Sequence, residues 1–185
     1  MKPEYLALLD EFSPSEHEHE KGTLRDHLVG TYNLLSDWDN PVSVALGGLF
    51  HSIYGTQYYR TSSTGLNSRS KIADIIGEEA EELAYLFCVT DRNGFIYEAG
   101  SKSPSLWNCV ENKLCPVKPT VIKDLIEIEA ANFIEQRHLD RPMAARYVTL
   151  VRHTLERGGP FMSPKARDAY AEVVGRTIEV SAGAG

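Results

Sequence analysis

Leu49-Phe50-His51-Ser52-Ile53-Tyr54-Gly55-Thr56 is the stretch on which the reading of this chain turns. His51 closes an apolar helical pattern made by Val42, Ala45, Leu46, Leu49 and Phe50. Upstream, Thr23 is placed to cap a helix running to about Trp38, with Leu24, Leu28, Thr31, Leu35 and Trp38 on one face. That helix carries His27. The separation, 51 − 27 = 24 positions, suits two consecutive antiparallel helices that each bring one imidazole to the same pocket. Such a site is built inside a helical bundle.

Outward from this pair the pattern stays helical. Asp39-Asn40 breaks the first helix, and Pro41 suits the first turn of the next. Gly47-Gly48 inside that helix costs about 1 kcal/mol per glycine relative to alanine, which a close helix–helix approach would explain. Pro3 to Phe12 is a short amphipathic opener and Ser13 to Gly22 a polar loop. Thr56 to Asn67 reads as a loop over the site. Ser68 to Ile76, ended by Gly77, and Glu78 to about Thr90 are helices, the second with Ala80, Leu83, Ala84 and Phe87 inward. Asn93 to Val117 lacks a helical period and reads as a long excursion with a short strand at Phe95-Ile96-Tyr97. Pro119 to Gln136, Pro142 to Arg157 and Pro164 to Glu179 are further helices, and the tail 181–185 is expected to be disordered. The expectation is one all-α domain over residues 1–180, a bundle of about seven helices.

The net charge of −7, from 19 basic and 26 acidic side chains, argues against nonspecific nucleic-acid binding, which needs a basic face. No run reaches the roughly 18 apolar residues of a membrane span, and Met1-Lys2-Pro3-Glu4-Tyr5 lacks the apolar stretch of a secretory signal. The expected setting is cytoplasmic, with neither membrane nor nucleic acid as partner. Cys88, Cys109 and Cys115 are then reduced thiols; Cys88, in an apolar run, reads as a core residue. His17-Glu18-His19-Glu20 reads as a solvated loop more readily than as a metal tract.

A histidine on one helix, a histidine–aspartate pair closing the next and a late aspartate on a fifth helix define the HD superfamily of metal-dependent phosphohydrolases, with some oxygenases among them. Residues Thr23 to Gln136 resemble that family. His27 matches the first histidine and His51 that of the pair. The segment Lys71 to Leu83, ending in Val89-Thr90, is similar to the matching stretch of the stringent-response nucleotide hydrolases, and Leu125 to Asn132 resembles the helix of the final aspartate. The chain also resembles a smaller HD-like group in which a small residue and a Tyr-Gly-Thr triplet follow the histidine. The resemblance implies an HD-like bundle. It also locates two departures: Ser52 stands in place of the paired aspartate, and Asn132 in place of the last one. Neutral oxygen donors do not supply the charge that holds a divalent cation, so the family's metal-activated water attack is in doubt here. Asp91 is the next-best carboxylate. With His27 and His51 it would form a two-histidine, one-carboxylate triad of the kind that holds a single divalent metal such as iron or manganese.

Around this centre, Ser52, Tyr54, Thr56, Arg69, Arg92 and Asn132 are the candidate substrate-binding residues. Arg69 offers a bidentate fork to an anionic ligand. Asp91-Arg92 reads either as a buried ion pair or as a ligand or general base beside a cation. Glu129, three before Asn132, is placed to line the same pocket, whereas Glu127 is expected to face solvent or a partner. The leading reading is a small-molecule enzyme in which His27 and His51 act as general acid and base or as metal ligands, with Asp91 assisting. The rivals are a non-catalytic metabolite-binding module on the same scaffold and a metal-dependent phosphohydrolase. The expected partner is a small molecule, with an anionic one favoured by the arginines, and a homodimer is left open.

Overall fold

The computed structural model describes residues 1–12, 18–19, 22–55, 68–137 and 141–183. Thr56, Arg60 and the rest of the expected 56–67 loop lie outside that set, as do His17, Glu20, His138 and the last two residues. The chain is mostly helical. Its order is α1 (Pro3–Phe12), β1 (Glu18–His19), β2 (Gly22–Thr23), α2 (Leu24–Asp37), α3 (Val42–Leu49), α4 (Arg69–Ile76), α5 (Glu78–Val89), α6 (Asn93–Tyr97), β3 (Ser105–Asn108), β4 (Lys113–Pro116), α7 (Pro119–Gln136), α8 (Ala145–Gly158) and α9 (Pro164–Gly183).

The N-terminal start of α2 is fixed by a capping box. The Thr23 hydroxyl accepts from the Asp26 N–H, and the Asp26 carboxylate accepts from the Thr23 N–H. Its predicted apolar face is buried, so His27, on the same face, points inward. α3 is buried from Val44 to Leu49, and its two glycines let that happen. A Cβ on Gly47 would stand 2.9 Å from Leu83 Cβ of α5 and 3.3 Å from Ile128 of α7, and one on Gly48 would collide with Leu35 of α2. α3 is therefore packed closely by side chains of α2, α5 and α7. α7, with Ile122, Leu125, Ile126, Ile128, Ala130 and Ala131 buried, runs through the core.

Several expectations are corrected. Phe95-Ile96-Tyr97 is helical: the Asp91 carboxylate accepts the Asn93 N–H at 3.0 Å and starts α6, which buries Phe95 and Ile96. The rest of the excursion is an antiparallel hairpin pairing Ser105 with Pro116 and Asn108 with Lys113. The Asn108 side chain accepts the N–H groups of Val110 and Glu111, both at 2.9 Å, and shapes its turn. A bridge between Thr90 and Asn108 ties β3 to the end of α5. α9 continues to Gly183, into the expected disordered tail, because Ser181 accepts the Met143 N–H at 2.9 Å and donates to Thr177 at 2.7 Å. Glu127 faces the interior at 4 % exposure. It accepts from Asn40 at 2.9 Å and from both the N–H and the hydroxyl of Ser163. No helix among the described residues is long and apolar enough to cross a membrane.

Candidate functional site: a buried histidine pair

His27 comes from the first turns of α2 and His51 from the turn after α3, where the His51 N–H bonds back to Gly48. Their Nε2 atoms lie 3.3 Å apart, with the rings edge to face at 5.1 Å. Both side chains are buried, at 6 % and 2 % exposure. The other nitrogen of His51, Nδ1, is 2.6 Å from the Gly48 carbonyl. A carbonyl only accepts, so Nδ1 carries hydrogen, and in neutral His51 Nε2 is then a lone pair. The proton between the two Nε2 atoms therefore belongs to His27. The Gln136 amide lies 3.3 Å from the same His27 Nε2. It is the Gln136 side-chain nitrogen that lies there, and the contact is a hydrogen bond only when His27 Nε2 lacks its hydrogen.

The electrostatics keep His51 short of protons. His51 is held well below the ordinary imidazole range, first by burial and then by the charge that His27 would carry, with Arg92 adding to the effect. The Gly48 carbonyl, bonded to His51 Nδ1, and the nearby Asn132 side chain oppose it.

Asn132 of α7 links this centre to a second polar group. Its amide is 3.5 Å from Glu129, and Arg92 donates to the same Glu129 oxygen at 3.1 Å. Arg92 also lies over the Phe87 ring, which packs edge-on against His51 at 5.1 Å. Burial raises the Glu129 carboxyl above its ordinary range, with Arg92 and Asn132 pulling it back.

The structure brings together His27, His51 and Asn132 and places Arg92 beside them. It adds Gln136, from the last turn of α7, and aligns Glu129 as the sequence reading allowed. Ser52 is half-buried in the same turn as His51.

It does not bring Asp91. That carboxylate accepts from the Asn93 N–H and side chain at the start of α6, and Arg92 pairs with Glu129, so the ion-pair alternative for Asp91-Arg92 is not the one formed. Among the described residues no group of three or more His, Cys, Asp or Glu side chains is placed to hold a metal ion. Among the described residues the two imidazoles have no carboxylate placed to complete a divalent-cation site.

Arg69 and Tyr54 are also turned elsewhere. Arg69 grips Glu81 with two bonds of 2.7 Å, and the Tyr54 hydroxyl donates to the same carboxylate at 2.7 Å. The anionic partner expected for Arg69 is thus a buried side chain of this chain. Arg69 also stacks on Tyr85 at 3.6 Å. Cys88 lies beneath the His51 turn and donates to the His51 carbonyl at 3.1 Å; burial pushes its thiol up to about 12, which keeps it inert at neutral pH.

Residues 8–92 match the family described as Domain of unknown function (DUF6817). The match takes in both histidines and the Arg69–Glu81 pair and ends at Arg92, before Glu129, Asn132 and Gln136. No curated protein and no solved structure matches the chain.

Proposed function

We propose that the His27–His51 pair is the acid–base centre of a small-molecule enzyme on an HD-like helical bundle, working by proton transfer and without a resident metal. The observation that carries this reading is the 3.3 Å contact between two buried Nε2 atoms, with His51 Nδ1 anchored on Gly48. In that arrangement His51 Nε2 is the base: it takes a proton from the substrate, becomes the imidazolium and returns that proton to the product, while His27 Nε2–H serves as a hydrogen-bond donor. Burial removes water as a competitor, and the lowered pKa leaves His51 unprotonated at neutral pH and so able to accept a proton. Asn132 and Ser52 are the groups available to hold a substrate's polar atoms, and the Arg92 charge beside Phe87 favours an anionic ligand. The likeness of the two-helix histidine layout to the HD arrangement supports the scaffold assignment; Ser52, Asn132 and the direction of Asp91 speak against the phosphohydrolase chemistry.

The test is a turnover screen with the full chain over nucleotides, sugar phosphates and small hydroxy and keto acids, with metal analysis of the purified protein. On any substrate found, His27→Ala and His51→Ala are each expected to lower kcat by about 10²–10⁴-fold, with chelator having no effect. Full activity in His27→Ala, or activity that appears only with added manganese or iron, rejects the reading.

One observation favours a second reading. Glu129, the carboxylate that touches Asn132, is committed to Arg92, which suits a metabolite-binding module that turns nothing over. A ligand that raises Tm yet is recovered unchanged assigns that role.

A further inference from the structure

Away from the histidines, a groove of about 550 Å³ opens between the starts of α3 and α7, the first turns of α5 and the end of β4. Its floor is apolar, formed by Val44, Leu83, Val117 and Val121, and its walls carry Glu79, Glu82 and Asp124 against one cation, Lys118. Among the described residues none of the three carboxylates makes an ion pair or a hydrogen bond. Asp124 is pushed up to about 6, first by burial, then by Glu127 and Glu79, with Lys123 opposing. Held charged at neutral pH, it lowers the stability of the free protein, and a cation seated beside it would restore that loss.

Next to the groove runs an open strand edge. β3 is covered on one side by β4 and on the other by the Thr90 bridge, whereas among the described residues β4 pairs with β3 alone. β4 ends at Pro116, in the groove wall. An extended segment added along Lys113–Cys115 would find free backbone groups and reach the groove where the ladder stops.

We propose that this groove is a docking surface for an extended segment of a partner protein in which a lysine or arginine lies between apolar residues, the cation seated against Asp124 and its neighbours on the valine floor. The net charge of −7 steers such a segment toward the chain.

The probe is the pentapeptide acetyl-Ala-Val-Lys-Val-Ala-amide, titrated into the isotope-labelled full chain at pH 7.5 and followed by amide NMR shifts. Controls replace its lysine by glutamate or by norleucine, and a further arm uses butylammonium. Expected are shifts at Val44, Leu83, Val117 and Val121 with the lysine peptide, and at least tenfold weaker binding in Asp124→Asn. That variant should have a higher Tm than the parent at pH 7.5, so lost binding cannot be ascribed to misfolding. Binding should also weaken at pH 5, where Asp124 is protonated. Absence of shifts with the lysine peptide, equal binding of the norleucine peptide, or butylammonium binding as tightly as the peptide would each overturn the proposal, the last by assigning a small-cation site.

Discussion

At the scale of single residues, the histidine pair ties stability to pH with a definite sign. His51 has a folded pKa well below its unfolded value near 6.5. Below that value the unfolded chain binds more protons than the folded one, so stability is whole above about pH 6.5 and falls as the pH drops. The stability gap between the parent and His51→Gln, measured by urea unfolding, should therefore narrow between pH 7 and pH 5, by up to about 1.4 kcal/mol per pH unit. A gap that stays constant would mean that His51 does not titrate in this way. Both histidines were legible in the sequence because helical spacing and a 24-residue separation fix where two imidazoles point. Gln136 and Glu127 were not. Gln136 meets His27 across 109 positions, and Glu127 meets Ser163 across 36, and no local pattern records such partners. Glu127 was misread for a further reason. α7 is enclosed on nearly every side, so its faces do not sort into wet and dry.

At the scale of elements, α3 is the part whose construction is most sensitive. Gly48→Ala places a methyl into Leu35, and overpacking of this kind costs typically about 1–3 kcal/mol. The expected result is a lower urea midpoint with an unchanged m-value. Because Gly48 also supplies the carbonyl that anchors His51 Nδ1, the His51 imidazole resonances should move as well. The sequence carried α2, α4, α5 and α7 because caps and breakers bracket them: Thr23 before α2, Gly77 between α4 and α5, Pro119 at the start of α7. It did not carry α6. Phe-Ile-Tyr has strand propensity, but Asp91 and Asn93 turn the chain first and burial of Phe95 completes the helix.

For the whole molecule, the segment matched by the family, residues 8–92, is not a packing unit. Ile128 of α7 lies against Gly47, and Leu35, Val44, Leu83 and Phe87 share a core with Leu125, Ile126 and Ile128. A chain ending at Arg92 is expected to lose dispersed side-chain NMR signals and to bind ANS, as loosely packed states do; a sharp, cooperative thermal transition in that fragment would refute this. The mostly helical class was legible as a whole, because periodicity repeats in every helix; that the buried apolar residues form two clusters was not. Which halves lean on each other was not, since that depends on contacts between distant turns.

The clasp at Glu127 carries a consequence for how the histidine site can vary. One carboxylate grips the α2–α3 corner through Asn40 and the start of α9 through Ser163, and Asn132 follows five residues later on the same rigid helix, about 7.5 Å along its axis. Any insertion that shifts the corner or the α9 start also slides or rotates α7, and so resets the spacing between Asn132 and His51. Remote surface loops are thereby given a grip on the tuning of the buried centre, and relatives that differ only there are expected to differ in what they admit.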